Sequence, residues 1–105
     1  MPIKAILKSI SKKNLHISGG LGSINDPIIL DKDGPLDYVK TEDIILKYIG
    51  ILHGVTWRKI DKSLIKHNGR YIDHIKIEVV DTIDEEVITH IENYFFDIDY
   101  FFRRY

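Results

Sequence analysis

The sequence predicts an α+β fold: one main helix packed on an antiparallel sheet of about four to five strands, with a C-terminal aromatic element that is either helix or strand. Three observations carry this. Asn68-Gly69 stands between two runs rich in apolar and β-branched residues, and Asn-Gly tolerates the positive φ that a tight hairpin turn demands. Ile44, Ile45, Tyr48, Ile49 and Leu52 recur at the spacing of one helical stripe. Ile75, Ile77 and Val79 alternate with His74, Lys76 and Glu78, the period of a strand with one buried and one wet face.

Taken in order, residues 3–9 and 14–18 read as extended, joined by Ser11-Lys12-Lys13-Asn14 into a first hairpin. Gly19-Gly20-Leu21-Gly22-Ser23 breaks regular structure. Ile24 to Leu30 offers at most one short strand, which Pro27 restricts to a sheet edge or an irregular loop. Asp31-Lys32-Asp33-Gly34-Pro35 is a turn. The helix is expected from Thr41 to His53, with Thr41 as cap, Glu42 and Asp43 at the positive end of the dipole, and Gly54 as a left-handed stop. Gly50 inside it costs about 1 kcal/mol against alanine, which points to a close crossing with the sheet or to some bending of the helix.

Val55 to Lys66 and Arg70 to Thr82 are the arms of the hairpin, the first bringing Trp57 or Ile60 to the core. Residues 84–96 support two readings. As a helix, Thr82 and Glu85 form a capping box and Val87, Ile88, Ile91, Tyr94, Phe95, Ile98 and Phe102 share a stripe. As a strand, Asp84-Glu85-Glu86 is the tip of another hairpin and the β-branched and aromatic residues that follow return beside Ile75 to Val80.

A chain of 105 residues with 44% hydrophobic and 30% charged residues is expected to make one domain over residues 1–105. The formal charge of −1 projects no strong field toward nucleic acid or an anionic membrane. With no cysteine, disulfides, thiolate metal sites and a thiol nucleophile are all excluded. No run of eighteen apolar residues occurs, and the reading is of a cytoplasmic protein. Isoleucine makes up about a fifth of the chain; it raises β-propensity everywhere and blurs the helix and strand readings.

Chemistry-bearing motifs are scarce. His16, His53, His67, His74 and His90 show no spacing typical of metal ligation; the one set able to converge is Asp73 and His74 on the hairpin arm with His90 on the next segment. The Gly19 to Ser23 run lacks the lysine and hydroxyl of a phosphate loop, and none of the serines stands in a nucleophile elbow. Arg58, Lys59, Lys62, Lys66 and Arg70 lie near Trp57 and Tyr71, a pairing by which sheets hold single-stranded nucleic acid, though alternating charge on a wet face is commonplace.

All four phenylalanines fall within the last eleven residues. Phe95 and Phe96 are neighbours, as are Phe101 and Phe102, so they cannot all point one way along a single element. Phe96, Tyr100, Phe101, Phe102, Arg103 and Tyr105 are therefore the candidate interface, since aromatics beside arginine anchor protein contacts; the plainer reading is that a small α+β core absorbs the rings. The expectation is a non-catalytic protein that binds a protein partner or its own copy, as inhibitors and immunity proteins do, with no cofactor, no membrane partner and nucleic acid disfavoured. The rival class is an enzyme using His and Asp between helix and sheet.

Overall fold

The computed structural model describes residues 17–30 and 38–102. The expected first hairpin lies almost wholly outside them, as do the turn at 31–35, Arg103 and Tyr105. The described elements are β1 (Ile17–Ser23), β2 (Asp26–Leu30), α1 (Tyr38–His53), β3 (Thr56–His67), β4 (Arg70–Ile83), β5 (Glu86–Asp97) and the single turn α2 (Asp99–Phe102).

Among the described residues the strands form a five-stranded sheet in the order β1-β2-β5-β4-β3. The Asn68-Gly69 turn joins β3 to β4 with both residues at positive φ (52° and 77°), as a primed hairpin turn requires. Residues 84–96 belong to a strand, not a helix: β4 and β5 pair from Ile72↔Asp97 to Ile83↔Glu86. Their turn is the two residues Asp84-Glu85, both left-handed (51° and 67°), so Glu86 is already in the strand.

The sheet departs from the antiparallel expectation at one pair, β2 and β5, which run parallel through Ile28↔Phe96 and Ile29↔Asp97. The cause is connectivity. From β2 the chain passes through α1 to the far edge of the sheet, and two hairpins then fold back, so that β5 and β3 both run in the sense of β2. A long crossover through a helix is how parallel neighbours are joined.

Pro27 does not confine β2 to an edge. It precedes Ile28, where the pairing with β5 begins, and it falls within the register shift between Gly19 and Ser23 on β1, so no ladder hydrogen bond needs its missing N–H. The glycine run is likewise strand rather than break: Gly19 (φ 83°) and Gly22 (φ 101°) absorb the irregularity that lets β1 continue.

The helix begins one turn before Thr41 and buries a stripe rotated from the expected one: Glu42, Ile45, Leu46, Ile49 and Gly50 are inside, Ile44 is half-buried and Leu52 is exposed. The isoleucines and Leu46 pack on Ile17, Ile28, Leu30, Ile75, Ile77, Val79, Tyr94 and Phe96 from the sheet. Each such side chain taken fully out of water contributes roughly 1.5–3 kcal/mol. Gly50 marks the close crossing: a Cβ there would lie 2.9 Å from Trp57 Cδ1. Gly54 ends the helix at φ 68°, and the N–H of Val55 donates to the Gly50 carbonyl at 3.0 Å. Trp57 packs against the core as expected; Ile60 falls at the bulge between Lys59 and Asp61 and stays exposed. Among the described residues no helix is long and apolar enough to cross a membrane.

Candidate functional site

The C-terminal rings are the first candidate, and much of their area is internal. Phe96 and Phe101 are fully buried, 0% and 2% exposed, so neither presents a surface to a partner. Phe96 points to the helix side of β5, opposite Asp73, while Phe101 reaches the same core from α2 and meets Tyr38 at 6.0 Å and Tyr100 edge-on at 5.5 Å. Phe102, also of the candidate interface, is half-buried and packs on Tyr71 at 4.2 Å, and Phe95, beside Phe96, is half-buried and stacks on His74 at 4.4 Å.

What holds this terminus is polar. Asp97, buried, takes two hydrogen bonds from the Arg70 guanidinium, one of them 3.2 Å from Nη2, and accepts the N–H of Asp99 at 3.1 Å. Asp99 accepts the N–H of Tyr71 at 3.0 Å, and the N–H of Ile98 donates to the Tyr71 carbonyl. This knot turns the chain after β5 and seats Phe101. Arg70, Asp97, His67, Asn68 and the β1–β2 turn border a cleft of about 220 Å³, smaller than the roughly 300 Å³ at which small-molecule sites begin.

Asp73, His74 and His90 do not converge. Asp73 faces the helix and His74, one residue on, faces the opposite side, where its Nε2 donates to Asn93 Oδ1 at 2.8 Å. His90 shares the helix side but pairs with Val79, six residues along the strand from Asp73, a separation of about 20 Å. There its Nε2 lies 2.6 Å from Glu92 Oε2, and the Tyr94 hydroxyl donates to Glu92 Oε1 at 2.9 Å. Burial pushes the Glu92 carboxyl up, but these two partners outweigh it and hold the group below the usual range. Among the described residues no group of His, Asp and Glu is placed to hold a metal ion.

Asp73 has a different partner, one that the sequence did not suggest. Glu42, expected at the positive end of the helix dipole, is turned under the helix and has no exposed surface. Lys62 Nζ, from β3, lies 3.2 Å from Glu42 Oε1 and 3.3 Å from Asp73 Oδ2, beneath the ring of Tyr38. Burial pushes the Glu42 carboxyl up to about 9, with Asp73 adding to the effect and Lys62 opposing it. Burial alone would lower the Lys62 ammonium, but the two carboxylates more than offset that and raise it. One cation serves two buried acids: Lys62 hydrogen-bonds Glu42 Oε1 and only ion-pairs with Asp73 Oδ2, so that Glu42 Oε2 and Asp73 Oδ2 are left without a hydrogen-bond partner.

The basic residues do not gather on one surface. Lys59 pairs with Asp43 at 2.7 Å and Lys62 with the buried acids on the helix side; Arg58 pairs with Glu78 and Arg70 with Asp97. Lys66 Nζ sits 5.3 Å from the Tyr71 ring centre.

The most open apolar surface is elsewhere. β3 starts at Thr56, opposite Val80, so the last rungs of β4 and β5, from Asp81↔Ile88 to Ile83↔Glu86, extend beyond it as a two-stranded ribbon. Along this end Val87 is 70% exposed, Ile83 50%, Ile91 48% and Ile88 41%. Ile83 and Ile88 lie on the helix side; Val87 and Ile91 lie on the other. The outer edge of β5 is also open: among the described residues the neighbouring strand β2 joins it only at Phe96 and Asp97. Comparison with protein-family models, with curated proteins and with solved structures finds no match to this chain.

Proposed function

We propose that this protein acts by binding another protein, and that the contact is made by the far end of the β4–β5 ribbon. The observation that carries the reading is Val87, 70% exposed at the projecting end of a hairpin where Ile83 and Ile88 are also open, with Ile91 open on the same face as Val87 a few rungs inward. Apolar side chains gathered on a projecting element are the usual mark of an interaction site. A ribbon of two strands has little stability of its own in water, and a partner that covers it removes apolar area from solvent. The acid–base alternative is less well supported, because Glu42 and Asp73 lie beneath α1 and a substrate would have to displace the helix to meet them.

The test is a paired substitution, Val87→Asp with Ile91→Asp, in tagged protein used for affinity capture from the native host. The expected outcome is an unchanged thermal midpoint together with loss of a protein that the parent retains. If parent and variant retain the same proteins, or neither retains any, the ribbon is not the contact.

A further inference from the structure

The two long edges of the sheet are built differently. β3, at one edge, carries Arg58, Lys59, Lys62 and Lys66 and is interrupted by a bulge, features that keep foreign strands from adding to a sheet. Residues 86–93 of β5 have no lysine, arginine or proline, pair with β4 without a register shift, and meet no further strand among the described residues. They present backbone donors and acceptors in an undefended row. Charge makes the same distinction. Each β3 cation has a partner within the molecule. Residues 81–92 hold five carboxylates and no lysine or arginine, and among the described residues only Glu92 of these has an ion-pair partner, His90. The uncompensated charge of the ribbon is therefore negative and surrounds the open apolar side chains.

Resting on the reading that the ribbon is the contact surface, we propose that the partner contributes an extended segment which adds as a sixth strand along β5 at residues 86–93, and that this segment is basic. Main-chain hydrogen bonds supply the pairing and alternate side chains meet Val87 and Ile91 on one face and Ile88 on the other, the mode of strand addition. Lysine or arginine on the incoming strand meets the acids of the turn, which steers association and makes it sensitive to salt. A second copy of this chain fits less well, because antiparallel pairing of two β5 edges over residues 86–93 sets the acidic tip of each copy beside Glu92 and Asn93 of the other, with no lysine or arginine on either strand.

The probe is an eight-residue peptide alternating lysine with valine and threonine, compared with the same peptide carrying glutamate for lysine. Each is added to the full chain and amide exchange is followed by NMR. The expected result is slowed exchange at alternate amides of residues 86–93 with the lysine peptide, roughly tenfold weaker binding by the glutamate peptide, and loss of the difference in 1 M salt. Charge reversal at the turn, Glu85→Lys with Glu86→Lys, is expected to invert the preference. Equal response to both peptides, protection confined to another strand, or self-association of the chain in their absence overturns the proposal. Loss of the captured partner in Val87→Asp with Ile91→Asp, combined with no response to either peptide, would leave the ribbon as the contact and reject strand addition alone.

Discussion

Glu42 is the residue whose chemistry departs furthest from its place in the sequence. A carboxyl held near pH 9 in the folded chain and near 4.5 when unfolded binds a proton in the fold across that interval. Stability then falls as pH rises from about 5 to about 9, by up to about 1.4 kcal/mol per pH unit. Lys62 acts in the same sense, because its ammonium is also raised by the two carboxylates, but it does so only above pH 10.5, outside this window. Glu42→Gln keeps the shape and removes the titration, so its thermal midpoint is expected to exceed that of the parent at pH 8 and to change little between pH 6 and pH 9. A parent whose midpoint rises over that interval would contradict the assignment. A second residue-scale prediction concerns Glu85, held at φ 67° in a turn where glycine is favoured. A non-glycine residue in the left-handed region costs about 1–2 kcal/mol, and Glu85→Gly is expected to raise the stability read from urea unfolding by about 1 kcal/mol. The isosteric distinction is visible within the chain itself: one hairpin uses Asn68-Gly69, the other uses two acids.

Among the elements, α1 and its crossing with β3 give the clearest case of local preference opposed by packing. Alanine at Gly50 gains about 1 kcal/mol of helix propensity. Its Cβ would also meet Trp57 Cδ1 at 2.9 Å and the Val55 carbonyl at 3.3 Å, and overpacking of that kind costs about 1–3 kcal/mol. Gly50→Ala is therefore expected to lower stability by about 1 kcal/mol and to shift the fluorescence of Trp57, the only tryptophan. The helix itself was legible from its stripe of isoleucines and from Gly54. Its rotation was not, because it brings inside Glu42, a charged side chain whose partners Lys62 and Asp73 lie twenty and thirty-one positions away. β5 shows the same limit. Its residues satisfy both a capping box and a β-rich composition, and only the twelve-rung pairing with β4 selects the strand.

At the scale of the molecule the sheet has a covered end and a bare one. Near the Arg70–Asp97 knot, α1, α2 and the β1–β2 pair close over β4 and β5; at the other end, the same two strands run past their neighbours. Substitution should divide along this line. Phe101→Asp places a charge in a buried aromatic cluster and is expected to unfold the chain, as judged by near-ultraviolet circular dichroism, because a buried charge without a partner costs several kcal/mol. Val87→Asp lies in water already and is expected to leave that spectrum unchanged. The concentration of phenylalanine near the C-terminus was plain in the sequence. Which rings go inside is decided by topology: α2 turns back toward α1, and the knot of Asp97 and Asp99 directs Phe101 inward.

The sequence by itself determined what depends on neighbours along the chain: the Asn68-Gly69 turn, the helix ending at Gly54, the two-faced strand from Ile75 to Val79, and the absence of thiol chemistry. Turn conformation, periodicity and composition are local properties, and a few consecutive residues specify them. Tertiary structure alone decided the parallel placement of β2 beside β5, the burial of Glu42 against Asp73, the separation of His74 and His90, and the exposure of Val87 and Ile91. Each of these depends on which distant segments meet, and the free energy that selects among such meetings comes from burial and desolvation summed over the whole fold.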